Sequence, residues 1–231
     1  MIGKDISLVI PLFNEESNVE NIYAKIKKSF GTKLSYQLVL VNNGSWDKTK
    51  KIIENLSKKD RNVLLIDVKK NIGYGFGILS GLNSATGDII GWIDGDDTTD
   101  PNDVYLLYKK MKETSSDVGF SERIVRGQNL FRKLESFFYN TLLFVLYGRN
   151  FRDINSKPKL IKREAYRKFN LQSKDWFVDT EFCISAYNRK LSHTRILRRE
   201  VERRHGKSAV KLTTALEFFK NIMRYRVLNH I

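Results

Sequence analysis

Cysteine is nearly absent from this chain of 231 residues. The single Cys183 excludes an internal disulfide and a cysteine-based zinc site, fits a reducing compartment, and reads as a packing residue on a helix. Long apolar runs are missing too: nowhere do roughly 18 apolar residues follow one another, the length that spans a bilayer. The opening MIGKDISLVIPL has no basic start, no extended apolar segment and no small-residue cleavage site, so it reads as a first strand and not as a secretory leader. Two common phosphate loops can be discarded. Gly73-Tyr74-Gly75-Phe76-Gly77-Ile78 lacks the third glycine of a dinucleotide fingerprint, and Gly206-Lys207-Ser208 has Val201 where a Walker loop requires Gly. Acidic residues are in deficit, with 26 Asp and Glu against 41 Lys and Arg and a formal charge of +15. That imbalance calls for an anionic partner: nucleic acid, a phosphorylated substrate or an acidic membrane surface. No recognisable DNA- or RNA-binding motif accompanies the charge, which argues against nucleic acid.

What is present is an alternation of strands and helices in a chain long enough for one α/β core. Ile6 to Leu12 reads as a strand, and Asn14-Glu15-Glu16-Ser17 opens an amphipathic helix with Val19, Ile22, Tyr23 and Ile26 on one face. Tyr36 to Val41 is a second strand that ends in Asn42-Asn43-Gly44-Ser45, followed by a helix carrying Ile52, Ile53 and Leu56. Val63 to Val68 is a third, and Asn71 to Gly77 opens a helix reaching about Ala85. Right-handed crossovers then give a mostly parallel sheet flanked by helices, with the polar turns gathered on one edge.

On that edge lies Gly87 to Pro101, GDIIGWIDGDDTTDP. Ile89, Ile90, Trp92 and Ile93 predict a strand buried on both faces, and Asp94, Asp96 and Asp97 follow its carboxyl end. Carboxylates so crowded repel one another unless a cation lies among them, and hard oxygen ligands suit Mg²⁺ or Mn²⁺. A solvated acidic turn before a helix starting near Pro101 is the plainer alternative. An EF-hand loop is excluded, because Thr99 and Tyr105 stand where Gly and Glu are needed.

PLFNEES, VNNGSWDKT, NIGYGFGILSGLNSATGD and IDGDDTTDP, in this order and spacing, resemble the motif series of family 2 glycosyltransferases with the GT-A fold, and among them the polyprenyl-phosphate sugar transferases. The resemblance is specific over residues 6–125 and patchier to about 211. It implies that Pro11, Phe13, Glu15 and Asn43 line the nucleotide pocket and that Asp94 and Asp96 form the DxD motif meeting ribose, diphosphate and metal. The family's Asp-Asp-Gly-Ser is here Asn42-Asn43-Gly44-Ser45, and Thr98 replaces a frequent Gln. Amides donate as well as accept, so this departure bears on base and ribose recognition.

In the second half, Asp117 to Phe120 reads as a strand, followed by Ser121-Glu122-Arg123 and a basic stretch. The resemblance assigns Arg123 and Arg132 to the acceptor phosphate, work to which the guanidinium fork is suited. Leu130 to Tyr147 is an apolar helix candidate whose excess of apolar surface fits an interfacial helix or burial against a partner chain, a second copy included. Pro158 to Ile161 looks like a strand. Asp179-Thr180-Glu181 opens a helix with Phe182, Cys183, Ala186 and Tyr187 toward the core. Acidic residues in a first turn commonly stabilise a helix, while many inverting members of the family keep a general base near the place of Asp179. Val201 to Ser208 resembles the segment that stabilises the leaving diphosphate, with Arg203 matching its Arg and Lys207 or Lys211 supplying a second charge. Lys211 to Asn229 reads as a basic amphipathic helix.

The expected protein is thus one GT-A domain over 1–210, with a nucleotide-sugar half (1–120) and an acceptor half (121–210), followed by a basic helix over 211–231. By the resemblance it is an inverting transferase that moves a sugar from a nucleoside diphosphate to a polyprenyl phosphate or other membrane-associated acceptor, acting in the cytoplasm at the inner face of an anionic membrane. Transfer to a sugar hydroxyl with Asp179 as base is the alternative within that class, and a basic nucleic-acid-binding or membrane scaffold is the non-enzymatic one.

Overall fold

A computed structural model of the chain describes residues 3–124, 141, 143–148, 151–199 and 225. Strand β1 (Ile6–Leu12) is buried along its whole length and lies near the centre of a seven-stranded sheet. Its neighbours are β2 (Tyr36–Asn43) and β4 (Ile89–Trp92), both parallel to it, with Leu12 opposite Asn42 and Val9 opposite Trp92. Beyond β2 lies β3 (Val63–Val68), and beyond β4 come β6 (Lys159–Lys162), β5 (Val118–Arg123) and β7 (His193–Arg198), in the order β3-β2-β1-β4-β6-β5-β7. Only β6 runs against the rest, so the expected mostly parallel sheet is found.

Strand alternation sorts the apolar residues onto two faces. Leu8, Ile10, Leu38, Leu40 and Ile89 meet α1 (Val19–Phe30), α2 (Thr49–Lys59) and α4 (Pro101–Glu113) through Ile22, Ile26, Ile53, Val104 and Leu107. Val9, Val39, Val41, Ile90 and Trp92 meet α3 (Tyr74–Leu82) and, across the short α5 (Arg163–Tyr166), α6 (Val178–Asn188), through Ile78, Leu82, Phe182 and Cys183. Gly81 lets α3 come this close, since a Cβ there would lie 2.3 Å from Val9. α4 begins where the sequence predicts: Asp100 caps it by accepting from the Asn102 N–H at 2.9 Å, and Pro101 opens it. Cys183 is buried on α6, and burial pushes its thiol up to about 11.

Three readings need revision. The third helix is shorter than expected, Tyr74–Leu82, because Asn71 to Gly73 belong to the turn after β3. Ser121, Glu122 and Arg123 do not follow β5 but end it, because the ladder with β7 continues until Arg123 lies opposite Arg198. β7 itself, HTRILR, has a charged or polar residue at most positions, and its edge place in the sheet explains why no apolar period announces it. Of Leu130 to Tyr147, 143–147 are helical, with Leu143 buried and Phe144 and Val145 exposed; the rest, apart from Thr141, and nearly all of Lys211 to Asn229, lie outside the described residues.

Candidate active site

The loops after β1 and β2 are tied into one rim. The Asn14 N–H donates to Ser45 Oγ at 3.0 Å, the Glu15 N–H to Thr49 Oγ1 at 2.9 Å, and the Trp46 N–H to Asn14 Oδ1 at 3.1 Å. Pro11 is buried in β1, Glu15 accepts from Asn18 Nδ2 at 2.5 Å, and Phe13 stands edge-on to the exposed Trp46 with ring centres 5.0 Å apart.

Asn42 and Asn43 end β2 on opposite faces of the sheet, both buried. Asn42 Nδ2 donates to Asp67 Oδ1 at 2.7 Å, and Lys50 holds the other oxygen at 2.7 Å; these two hydrogen bonds keep the Asp67 carboxyl below its ordinary value. A carboxylate at position 42 would face Asp67 with like charge, so the amide belongs with its partner. Asn43 Nδ2 donates to the Gly73 carbonyl at 3.1 Å, while its Oδ1 is buried and has no hydrogen-bond partner among the described residues. That oxygen is an acceptor waiting for a donor.

The acidic turn divides its carboxylates. Asp97, with φ of 61°, turns inward to Lys25 at 2.6 Å and Asn21 at 2.6 Å. Asp94 and Asp96 stay half-buried: Tyr74 Oη donates to Asp94, and the Thr98 hydroxyl and N–H donate to Asp96 Oδ1 at 2.7 and 3.2 Å. Arg198 on β7 steadies the turn, its Nη1 donating to the Thr98 carbonyl at 3.0 Å. The described residues hold no group of three His, Cys, Asp or Glu placed for a metal. Two carboxylates from one turn nevertheless suit Mg²⁺ or Mn²⁺, ions that commonly take the rest of their shell from phosphate oxygens and water.

Beside Asp94 lies a buried network around Asp179 whose two lysines no motif announced. Lys157 Nζ is 3.6 Å from Asp94 and 2.8 Å from Asp179, and Lys159 Nζ is 2.8 Å from the other Asp179 oxygen. The Trp92 indole N–H adds a third bond to Asp179 at 3.3 Å, and Lys159 also donates to the carbonyls of Ile154 and Ser156. Asp179 is 1 % exposed; burial alone would raise its carboxyl, but Lys157 and Lys159 outweigh burial and hold it below its ordinary value. Two residues further on, the buried Glu181 accepts from the N–H groups of Gln172 and Ser173, fixing the loop that leads to Trp176. That loop presses on the start of α3 so closely that a Cβ on Gly75 would lie 2.3 Å from the Ser173 carbonyl. Trp176 thereby stacks on Tyr74, with ring centres 4.3 Å apart. Lys157 and Lys159 flank Pro158 at a two-residue spacing where a strand begins, the one sequence signal that would have placed both on a single face.

A model of Glycosyl transferase family 2 matches residues 7–169. The chain belongs to glycosyl transferase family 2. This transferase is 27% identical to a dolichyl-phosphate beta-glucosyltransferase of Trichomonas vaginalis, over 96% of this chain and 74% of that one. It is 29% identical to an undecaprenyl-phosphate 4-deoxy-4-formamido-L-arabinose transferase of Proteus mirabilis, over 68% of this chain and 49% of that protein, so it spans about half the length of that relative. Its fold resembles glucosyl-3-phosphoglycerate synthase of Mycobacterium tuberculosis, solved with Mn²⁺, UDP and glucosyl-3-phosphoglycerate, with a TM-score of 0.74, 18% identity, and coverage of 96% of this chain and 80% of the other. The GT-A architecture expected from the motifs is therefore present.

At the end of β5, Arg123 is held by Asp153: its Nε and Nη2 donate to the two carboxylate oxygens at 2.8 and 2.7 Å, and its backbone N–H adds a bond at 3.0 Å. Burial would raise the Asp153 carboxyl, and Arg123 more than reverses that. Arg132, Arg203 and Lys207 lie outside the described residues.

Proposed function

We propose that the transferase moves a sugar, with inversion, from a nucleoside-diphosphate sugar to a polyprenyl phosphate. The observation that carries the choice of acceptor is the state of Asp179. A sugar hydroxyl must lose its proton as it attacks, which calls for a base that can reach it and take up a proton. Asp179 is sealed from solvent and shared by two ammonium groups, a poor situation for proton abstraction. A phosphate monoester is already ionised at neutral pH, its second pKa being about 6, and needs no base. The lipid-phosphate substrates in the names of the Trichomonas and Proteus relatives agree with this reading.

In this scheme Pro11, Phe13, Glu15 and Asn43 bound the nucleotide pocket, and the unpaired Asn43 Oδ1 accepts an N–H of the base. Asp94 and Asp96 would hold Mg²⁺ or Mn²⁺, which supplies positive charge to the departing diphosphate. Arg203 and Lys207 are assigned to the same diphosphate, Arg123 and Arg132 to the acceptor. Arg123 reaches a phosphate only by leaving or sharing Asp153, so the pair stores it until the acceptor arrives. No helix among the described residues is long and apolar enough to cross a membrane. The exposed Phe144 and Val145 and the net charge of +15 support docking on an anionic bilayer, at its cytoplasmic face.

The experiment is a transfer assay with radiolabelled UDP- and GDP-sugars, polyprenyl phosphate and, in parallel, soluble glycoside acceptors. Label passing into the lipid extract supports the proposal, and the anomeric configuration of that product reports inversion. Label passing only to the glycosides refutes the assignment of the acceptor.

A further inference from the structure

We propose that Lys157 is a resident counter-cation of the acidic turn, so that a divalent ion reaching Asp94 and Asp96 competes with its ammonium. The inference rests on the metal assignment above. The Lys157 side chain is 5 % exposed and that of Asp94 26 %. An ion approaching the open side of Asp94 therefore meets a carboxylate already backed by a fixed positive charge 3.6 Å away. Two cations drawn to one carboxylate repel each other, and more strongly in a buried setting than in water.

The ammonium is kept from closing fully on Asp94 by its other partners. It donates to the Asn155 carbonyl at 3.2 Å and lies 2.8 Å from Asp179, which Lys159 shares from the other oxygen. Asp94, Asp179, Lys157 and Lys159 sum to zero charge, so Asp179 acts as a ballast that decides how much of Lys157 is given to Asp94. It is a positioning residue acting through Lys157, and it does not touch the ion.

Two substitutions consequently push ion affinity in opposite directions. Lys157→Gln removes the competing charge but keeps N–H donors for Asn155 and Asp179, and Mn²⁺ should bind about tenfold more tightly, equivalent to about 1.4 kcal/mol. Asp179→Asn weakens the other hold on Lys157, which closes on Asp94, and Mn²⁺ should bind several-fold more weakly. A purely structural role for these residues would weaken binding in both.

The test is Mn²⁺ titration of the full chain without donor, reading free ion by electron paramagnetic resonance, with a thermal melt of each variant. Unchanged affinity in both variants, or weakening in both, overturns the proposal while leaving the metal assignment standing. Failure of the wild type to take up Mn²⁺ overturns both. Should a variant not fold, the wild type labelled with ¹³C-lysine decides. Mg²⁺ must then shift a buried lysine Cε signal in step with ion uptake, and lysine signals that stay fixed overturn the proposal.

Discussion

Around β1 to β4 the strand ends are joined mostly by neutral groups: Asn14 with Ser45 and Trp46, Glu15 N–H with Thr49, Asn43 with the Gly73 carbonyl. Around β5 to β7 the comparable places are filled by charges, with Arg123 on Asp153 and Lys157 and Lys159 on Asp179. Each of these neutral hydrogen bonds can be replaced at modest cost. Buried ion pairs add little over a well-packed apolar core, and cost several kcal/mol when one partner is removed. The region of β1 to β4 should therefore tolerate change at its rim, whereas the region of β5 to β7 should fail sharply.

The largest effect expected on activity comes from Asp96→Ala. It should lower kcat at least about a hundredfold, the scale on which a group stabilising developing charge acts, and leave the melting temperature nearly unchanged. Full turnover by this variant, or by wild type in excess chelator, would falsify the metal assignment. On stability the halves should part company. Asp179→Ala leaves two buried ammonium groups short of a partner and should cost about 3–5 kcal/mol in urea unfolding, against about 1–2 kcal/mol for Asn43→Ala. Equal costs would erase the contrast.

Acid sharpens the same comparison. Asp179 and Asp153 are depressed below their ordinary 3.8, so the stability they contribute is complete above that value and is lost as pH falls through their folded-state values. Unfolding free energy of the wild type should fall more steeply below pH 3.8 than that of Asp153→Asn, and parallel curves would mean that Asp153 adds nothing. Arg123→Lys keeps the charge but loses the fork. Acceptor KM should rise several-fold with donor affinity unmoved; a fall in donor affinity would transfer Arg123 to the leaving-group site. The smallest effect belongs to Phe144→Asp, which should reduce flotation with anionic vesicles at low salt. Equal flotation of variant and wild type would remove this residue from the docking surface.

The same contrast explains what could be read from the sequence. β1, β2 and β4 announce themselves through apolar runs, and their turn residues through Asn, Gly and Asp at the ends, because burial on both faces leaves a local signature. The acidic turn was legible as a group, but not its division: that Asp97 turns to Lys25 while Asp94 and Asp96 stay half-buried depends on α1 packing beneath it. Tyr74 and Trp176 meet only because the loop before α6 presses on α3, a contact between segments some hundred residues apart. Arg198 reaches the acidic turn from a strand with no apolar period. Lys157 and Lys159 look like ordinary surface charges until the fold buries them, and Asp153 until the fold pairs it with Arg123, since charge in a sequence carries no record of its partner.

The bond between Asn42 and Asp67 couples these two positions, although 25 residues separate them. Asn42→Asp should be destabilising while position 67 stays acidic, and less so once 67 is neutral. Relatives with a carboxylate at the first place should then lack one at the second, and a double substitution that exchanges the two side chains should be tolerated where Asn42→Asp alone is not.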